Sequence, residues 1–412
     1  MHLYRKQKVI FMSKKIPIGI SVVITLIAVA CSSVITIFAY LNKYSELIDD
    51  LPQRSALYGH LEDVDELVRS EYFGKVDDDK LEDNLVQGYL SGLGDSYCYY
   101  ISPDNFEMYD NYMKGRMSGV GVTVYYEPSL TKLIVGSVDD YSPAAEAGIK
   151  KDMYIASVDN TDVNETNYSE LISKLCDNYE GKVSFSYSQS EDNFSEIELK
   201  CGYNKKSCFY KTDSDIGYIR IESYYPTTVN EFSQVIEDLK NEGIKSVILD
   251  LRNSSGADLS IAADIIDLVV PVGNEGSGSL YTAVNENGDI VQQASSDSSA
   301  LNIYFAVLVN DRTECAAELI ACDLRDFGKA QLFGEKTAGH GTLQSLFRLD
   351  DGGAVYLTVA EIMPYLSDSF NEIGLSPDYE IITSESFKNQ ISIDNLEADE
   401  QYQRALAYLK NK

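Results

Sequence analysis

Two residues whose types suit nucleophilic chemistry, Cys315 and His340, stand at places where an α/β fold would bring them together. Cys315 follows the apolar run Phe305-Ala306-Val307-Leu308-Val309 across the polar turn Asn310-Asp311-Arg312-Thr313-Glu314. A buried strand running into a tight turn at a helix start exposes the turn residue at the carboxyl edge of an open α/β sheet, where such sheets carry their sites. The pattern from Glu314 to Phe327, closed by Gly328, predicts a helix. Cys315 then falls in its first turn, where the helix dipole favours a thiolate. That helix carries the chain about 20 Å away, and a strand from Ala330 to Glu335 brings it back about as far. The loop Thr337-Ala338-Gly339-His340-Gly341-Thr342 is therefore expected level with Cys315, its two glycines leaving His340 room to turn inward. A thiol needs only an imidazole to share its proton, so the pair is chemically sufficient. Taken singly, each residue has a plainer reading: a cysteine near a helix start is most often a small core residue, and a histidine between glycines is incidental.

The elements that must position this pair read as α/β from residue 202 onward. Strand patterns at Gly217–Ile221, Ser246–Leu251 and Ile303–Val309 alternate with helical patterns at Val229–Asn241, Leu259–Val269 and Glu314–Phe327. Such alternation predicts a largely parallel sheet covered on both faces. The polar stretch Gly273–Ser299 reads as loop. Residues 119–201 change to short strands, at Val120–Tyr126, Leu133–Val138, Tyr154–Val158, Val183–Ser188 and Ser195–Cys201, with a helix at Tyr168–Cys176. This describes a compact, partly open β-barrel. Residues 42–118 carry helical spacing in Leu61, Val64, Leu67 and Val68 and again in Leu81, Leu85, Val86, Tyr89 and Leu90, and read as a helical stalk or cap.

Between Lys15 and Lys43 lie 27 uncharged residues, with the apolar stretch running over 16–41. About 20 apolar residues suffice to cross a bilayer. Arg5, Lys6, Lys8, Lys14 and Lys15 precede the span and Glu46, Asp49 and Asp50 follow it, so residues 1–15 are expected inside the cell and the bulk outside. Small residues before Cys31 leave a lipoprotein or cleaved signal open, but the apolar run continues to Phe38 and suits an uncut anchor better. The net charge is −31, and the five cations all lie before residue 43, so the remainder is more acidic still. A surface of this sign offers nucleic acid no basic groove. Seven scattered cysteines frame no disulfide fold; only Cys201 and Cys208 are close enough to suggest a local bridge. With three histidines in all, no metal cluster is expected, and no cofactor is implied.

From about Leu85 onward the chain resembles the carboxy-terminal processing peptidases, or tail-specific proteases, which join a PDZ domain to a Ser/Lys-dyad catalytic domain. The resemblance rests on Gly88-Tyr89-Leu90-Ser91-Gly92-Leu93-Gly94-Asp95-Ser96, Gly119-Val120-Gly121-Val122 and Ser142-Pro143-Ala144-Ala145-Glu146-Ala147-Gly148. It continues in Leu249-Asp250-Leu251-Arg252-Asn253, Gly334-Glu335-Lys336-Thr337 and Gly374-Leu375-Ser376-Pro377-Asp378. At the chemistry the chain departs from the family: the nucleophilic Ser position holds Cys315 and the Lys position holds His340. The resemblance implies that Gln344 orients the base, and Glu318 lies one turn beyond Cys315. It implies oxyanion donors in the backbone N–H groups of Ala316 and of the loop at Gly256 and Ala257. It implies a PDZ-like domain over 119–201, in which Gly119, Val120, Gly121 and Val122 converge their N–H groups on a substrate's terminal carboxylate.

The expected architecture is thus a cytoplasmic tail, a transmembrane anchor, a helical cap over 42–118, a PDZ-like module and a peptidase domain over 202–412. The expected partners are proteins or peptides with apolar carboxy-terminal tails and the membrane through residues 16–41, with a homodimer left open. Two functions remain: an extracytoplasmic Cys/His endopeptidase, or an inactive tail-binding scaffold.

Overall fold

The computed structural model describes residues 51–213, 215–270, 278–297 and 303–412, so the expected anchor over 16–41 lies outside the described residues. No described helix is long and apolar enough to cross a membrane. The chain divides into two compact units, residues 1–82 and 83–412.

In the first unit, helix α1 (Leu51–Glu71) leaves Leu61, Val64 and Leu67 exposed, and Arg69 grips Asp65 one turn back and Asp78 beyond the turn, both at 2.8 Å. Helix α2 (Asp78–Ser91) ends at Gly92, as the sequence predicts. The expected helical stalk or cap then gives way to strand β1 (Tyr99–Ile101) and helix α3 (Pro103–Met113). The aromatic run Tyr97-Cys98-Tyr99-Tyr100 explains the change, because aromatic residues favour a pleated surface over a helix.

Strand β2 (Arg116–Met117) opens the small-sheet region. Then come β3 (Val122–Glu127), β4 (Lys132–Val138), helix α4 (Pro143–Glu146), β5 (Tyr154–Val158), β6 (Thr161–Asp162), helix α5 (Tyr168–Cys176), β7 (Lys182–Ser188) and β8 (Ser195–Lys200). These strands form one antiparallel sheet in the order β3-β4-β5-β7-β8, with β6 on β5. Val120, Val122, Val124, Leu133, Val135 and Ile155 meet Leu171 and Leu175 of α5 in its core. Strand β9 (Tyr203–Asn204) pairs with β2 and so staples the region's exit to its entry.

The main-sheet region begins with β10 (Cys208–Asp213), β11 (Ile216–Ile221), helix α6 (Thr228–Asn241), β12 (Ser246–Asp250) and helix α7 (Leu259–Asp267). Hairpin strands β13 (Ser279–Val284) and β14 (Ile290–Ser295) occupy the stretch expected to be loop. The turn signal Asn287-Gly288 was present between them, but β14 is a mostly exposed edge strand without apolar alternation. Next come β15 (Tyr304–Val309), helix α8 (Ala316–Asp326), β16 (Ala330–Gly334), β17 (Thr342–Arg348), β18 (Ala354–Pro364), β19 (Tyr379–Glu380), helix α9 (Glu385–Lys388) and helix α10 (Glu400–Lys410).

The main sheet runs β10-β11-β12-β15-β16-β19, parallel from β11 onward. Its strands are apolar at successive positions because both faces are covered. Val247, Leu249, Phe305 and Val307 face α6, α7 and α8, while Ile248, Ala306 and Leu308 face Tyr402, Ala405 and Leu406 of α10. A second, antiparallel sheet, β1-β18-β13-β14 with β17 also on β18, was not anticipated. Through β1 it ties part of the expected cap to β18.

The buried Arg252 guanidinium fixes α10 to this frame. It meets Asp250 and Asp399 carboxylates at 2.5 and 2.6 Å and the Gln401 side-chain oxygen at 2.9 Å. Its cationic neighbours hold the Asp250 carboxyl, despite full burial, down to about 2. Cys201 and Cys208 are free thiols in two different cores, so the bridge their spacing suggested does not form.

Candidate active site

The parallel register aligns Leu249 with Val307 and Val309 with Gly334, so the loops after β12, β15 and β16 emerge together at one sheet edge. Short polar side chains stitch the first two loops. Asn253 and Asn310 exchange hydrogen bonds at 2.8 and 3.0 Å, and the Thr313 hydroxyl donates to the Leu251 carbonyl at 2.8 Å. Cys315 then sits just before α8 with φ 49° and ψ −103°, rather than inside its first turn as expected. A non-glycine residue in that region carries strain of about 1–3 kcal/mol, which the surrounding bonds must sustain.

Glu318 is the main restraint. Its buried carboxylate accepts the Cys315 N–H at 3.1 Å, the Gly339 N–H at 2.7 Å, the His340 N–H at 2.8 Å and the Thr337 hydroxyl. One side chain thus clamps the Cys315 turn to the His340 loop. Burial raises its affinity for a proton and these donors lower it, with burial ahead; four donors converging on two oxygens are nonetheless the pattern of an ionised carboxylate. The flanking glycines serve packing more than swing room: a Cβ on Gly341 would stand 2.5 Å from the Asn371 nitrogen, and one on Gly339, at φ +85°, 2.8 Å from that of Gly374.

Cys315 and His340 are 1% and 6% exposed. The His340 Nε2 lies 3.2 Å from the Gln344 side-chain oxygen, while the Gln344 amide donates to the Thr342 and Thr358 hydroxyls at 2.8 and 3.2 Å. Tyr97 lies flat on the imidazole with ring centroids 3.5 Å apart, a contact no sequence pattern announced. The Cys315 sulfur faces the Thr342 carbonyl at 3.8 Å, and no hydrogen bond joins it to the imidazole among those of the described residues.

The expected thiolate is corrected by the surroundings. Burial, then the nearby Glu318, Glu314 and Asp258, push the Cys315 thiol far above its ordinary range, the Ala316 N–H opposing only in part. Burial pushes His340 below its ordinary value, with Gln344 and Asp95 opposing. At neutral pH the pair is therefore a thiol and a neutral imidazole.

The expected oxyanion donors are likewise corrected in part. The Ala316 N–H donates to the Gly256 carbonyl at 3.0 Å, so it is engaged rather than open. Gly256 packs under Tyr224, where a Cβ would meet the ring at 2.5 Å; Ala257 follows it in the same loop. In the small sheet, the Gly119 and Val120 N–H groups donate to the Asn178 and Leu175 carbonyls at 2.7 and 2.9 Å, so these two do not converge on an external carboxylate. Gly121 and Val122 lead into β3, which is an edge strand flanked by α5. Among the described residues no cluster of His, Cys, Asp or Glu could hold a metal ion.

Residues 215–381 match the model of peptidase family S41. Carboxy-terminal processing protease CtpA of Bacillus subtilis (strain 168) is 28% identical over 361 residues, covering 86% of this chain and 75% of that protein. The carboxyl-terminal-processing protease of Picosynechococcus sp. is 29% identical over 328 residues, covering 78% of this chain and 77% of that protein. A solved structure of a photosystem II D1 C-terminal processing protease is similar at 21% identity with a TM-score of 0.46, over 77% of this chain and 85% of that one. Residues 215–381, which hold the Cys315 turn, the His340 loop and the Glu318 clamp, are a peptidase family S41 domain, and the chain is similar over most of its length to carboxy-terminal processing proteases.

Proposed function

We propose that this protein is a membrane-anchored, extracytoplasmic endopeptidase that takes protein carboxy-terminal tails on its 119–201 module and cleaves them with Cys315 as nucleophile and His340 as base. The observation that carries this reading is the single Glu318 carboxylate holding both the Cys315 turn and the His340 loop. A decayed site has no use for that restraint on a strained cysteine.

In the reaction the Cys315 thiol passes its proton to His340 as sulfur attacks the scissile carbonyl, and the imidazolium then protonates the departing amine. Water, its proton taken by His340, releases the acyl group. The arrangement described is a resting one: substrate entry must expose Cys315, and the Gly256 carbonyl must turn away before the Ala316 N–H can serve an oxyanion. The sealed, uncharged thiol favours the second reading, an inactive tail-binding scaffold. The deciding experiment incubates the full chain in detergent with a protein bearing an apolar carboxy-terminal tail. Fragments from the native chain and none from Cys315→Ala support the peptidase; binding without cleavage selects the scaffold.

Because burial depresses His340, the base is neutral above its folded value and lost as pH falls through it. The acid limb of kcat/KM should therefore lie below pH 6.5, the ordinary imidazole value, and a limb above it would contradict the depressed base. Tail recognition is assigned to the Gly121–Val122 turn and the β3 edge beside α5. Amidating the tail should weaken binding by about 1.5–3 kcal/mol, measured calorimetrically, and equal affinity for acid and amide would remove carboxylate capture. The charge pattern around 16–41 supports a topology with everything after Lys43 outside the cytoplasm, so protease added to intact cells should digest it; digestion only after permeabilisation reverses the topology.

A further inference from the structure

His340 does not end at Gln344. The Gln344 amide reaches the Thr358 hydroxyl at 3.2 Å, and that hydroxyl and the Cys98 sulfur, 3.9 Å apart, both face the Asp95 carboxylate, which also accepts the Tyr97 N–H at 2.8 Å. Cys98 closes the same corner, its sulfur 3.4 Å from Asp95 and 3.4 Å from the Thr358 nitrogen, whose N–H it accepts. We propose that Asp95, Thr358 and Gln344 form one positioning relay that fixes His340 in the Nε2–H tautomer and leaves Nδ1 as the proton acceptor.

The direction of the chain follows from what each group can do. A carboxylate only accepts, so Thr358 donates to Asp95 and its oxygen must accept from Gln344. The Gln344 amide nitrogen therefore faces the hydroxyls, its oxygen faces the ring, and Nε2 must carry the hydrogen. Burial raises the Asp95 carboxyl, but the Thr358, Tyr97 and Cys98 donors outweigh it, so the carboxylate is charged at neutral pH. Glu318 holds backbone N–H groups of the base loop and a hydroxyl, and Glu314 and Glu318 act on the Tyr97 phenol; Asp95 is the carboxylate that acts on the imidazole. The same short loop thus delivers two restraints, an anion behind the ring through the relay and the Tyr97 ring flat upon it.

This rests on the reading of His340 as the base, and its test does not use cleavage. The full chain, labelled with 13C and 15N in histidine, gives three imidazole signals, from His2, His60 and His340, of which His340→Gln removes one. The expected result is an Nε2–H tautomer for His340. Asp95→Asn should move its titration midpoint down by about 0.5 pH or more while His60 stays unchanged. Thr358→Val should mix the tautomers and Thr358→Ser should restore one, a pair that carries the test if Asp95→Asn does not fold. An Nδ1–H tautomer in the native protein, or an unmoved midpoint in folded Asp95→Asn and unmixed tautomers in Thr358→Val, overturns the relay. Cys315-dependent cleavage stands or falls separately: it survives a failed relay, and an intact relay with no cleavage leaves only the scaffold.

Discussion

Replacing His340 by Ala is expected to slow cleavage of a tail-bearing substrate by about 10²–10⁴-fold, the usual contribution of a positioned acid–base group. The effect should be large because the Cys315 thiol is not ionised in advance: burial and three carboxylates keep its proton on, so attack and proton transfer must go together. Cys315→Ser should be nearly inert for the same reason, since an imidazole made less basic by burial is a poor acceptor for a hydroxyl proton. Cys315→Ser combined with His340→Lys builds the Ser/Lys dyad that the resemblance implies at these two positions, and the Gln344 oxygen that meets His340 remains to receive the ammonium. Part of the lost rate should return in the double variant. The measurement is kcat/KM on one tail peptide for the four proteins; native rates in His340→Ala would remove the imidazole from the mechanism.

Glu318→Ala is expected to destabilise the protein by at least about 3 kcal/mol, because it leaves four donors, those of Cys315, Thr337, Gly339 and His340, without their shared acceptor. Each buried orphan costs about 1–3 kcal/mol, and relaxation of the loops recovers part of the sum. Glu318→Gln should lose less, since it keeps one accepting oxygen. Activity should fall further than stability explains, because the strained Cys315 turn loses what holds it at φ 49°. Urea unfolding of the three proteins reads the first effect. A Glu318→Ala protein as stable as the native one would deny that the clamp restrains anything.

Much of this frame was legible in the sequence, and the reasons differ by element. Strands β12 and β15 were readable because burial on two faces demands unbroken apolar runs, and α5 because its apolar spacing is helical and its ends are marked. The hairpin β13–β14 was not: Val291, Gln292 and Gln293 lie on an edge with little burial to pattern them. Cys315 and His340 could be found by residue type and by the distance a helix and a strand return the chain. Asp95, Tyr97 and Thr358 could not, since Cys98, beside the first two, meets Thr358 only across 260 positions, and nothing local in either segment encodes the meeting. Nor does any pattern show whether the Ala316 N–H is open or engaged, because that depends on which way one peptide faces.

The order in which the polypeptide is made adds a constraint of its own. Arg252 finds its carboxylate and amide partners 147 and 149 residues further along, on the segment that also covers Ile248, Ala306 and Leu308. A growing chain can complete the 119–201 module from local pieces long before that segment exists. The sheet that carries Cys315 cannot close until residues near 410 have followed. Biosynthesis therefore yields the small-sheet region first and the sheet beside Cys315 last, so a nascent molecule meets its neighbours before the Cys315 and His340 loops are set in place.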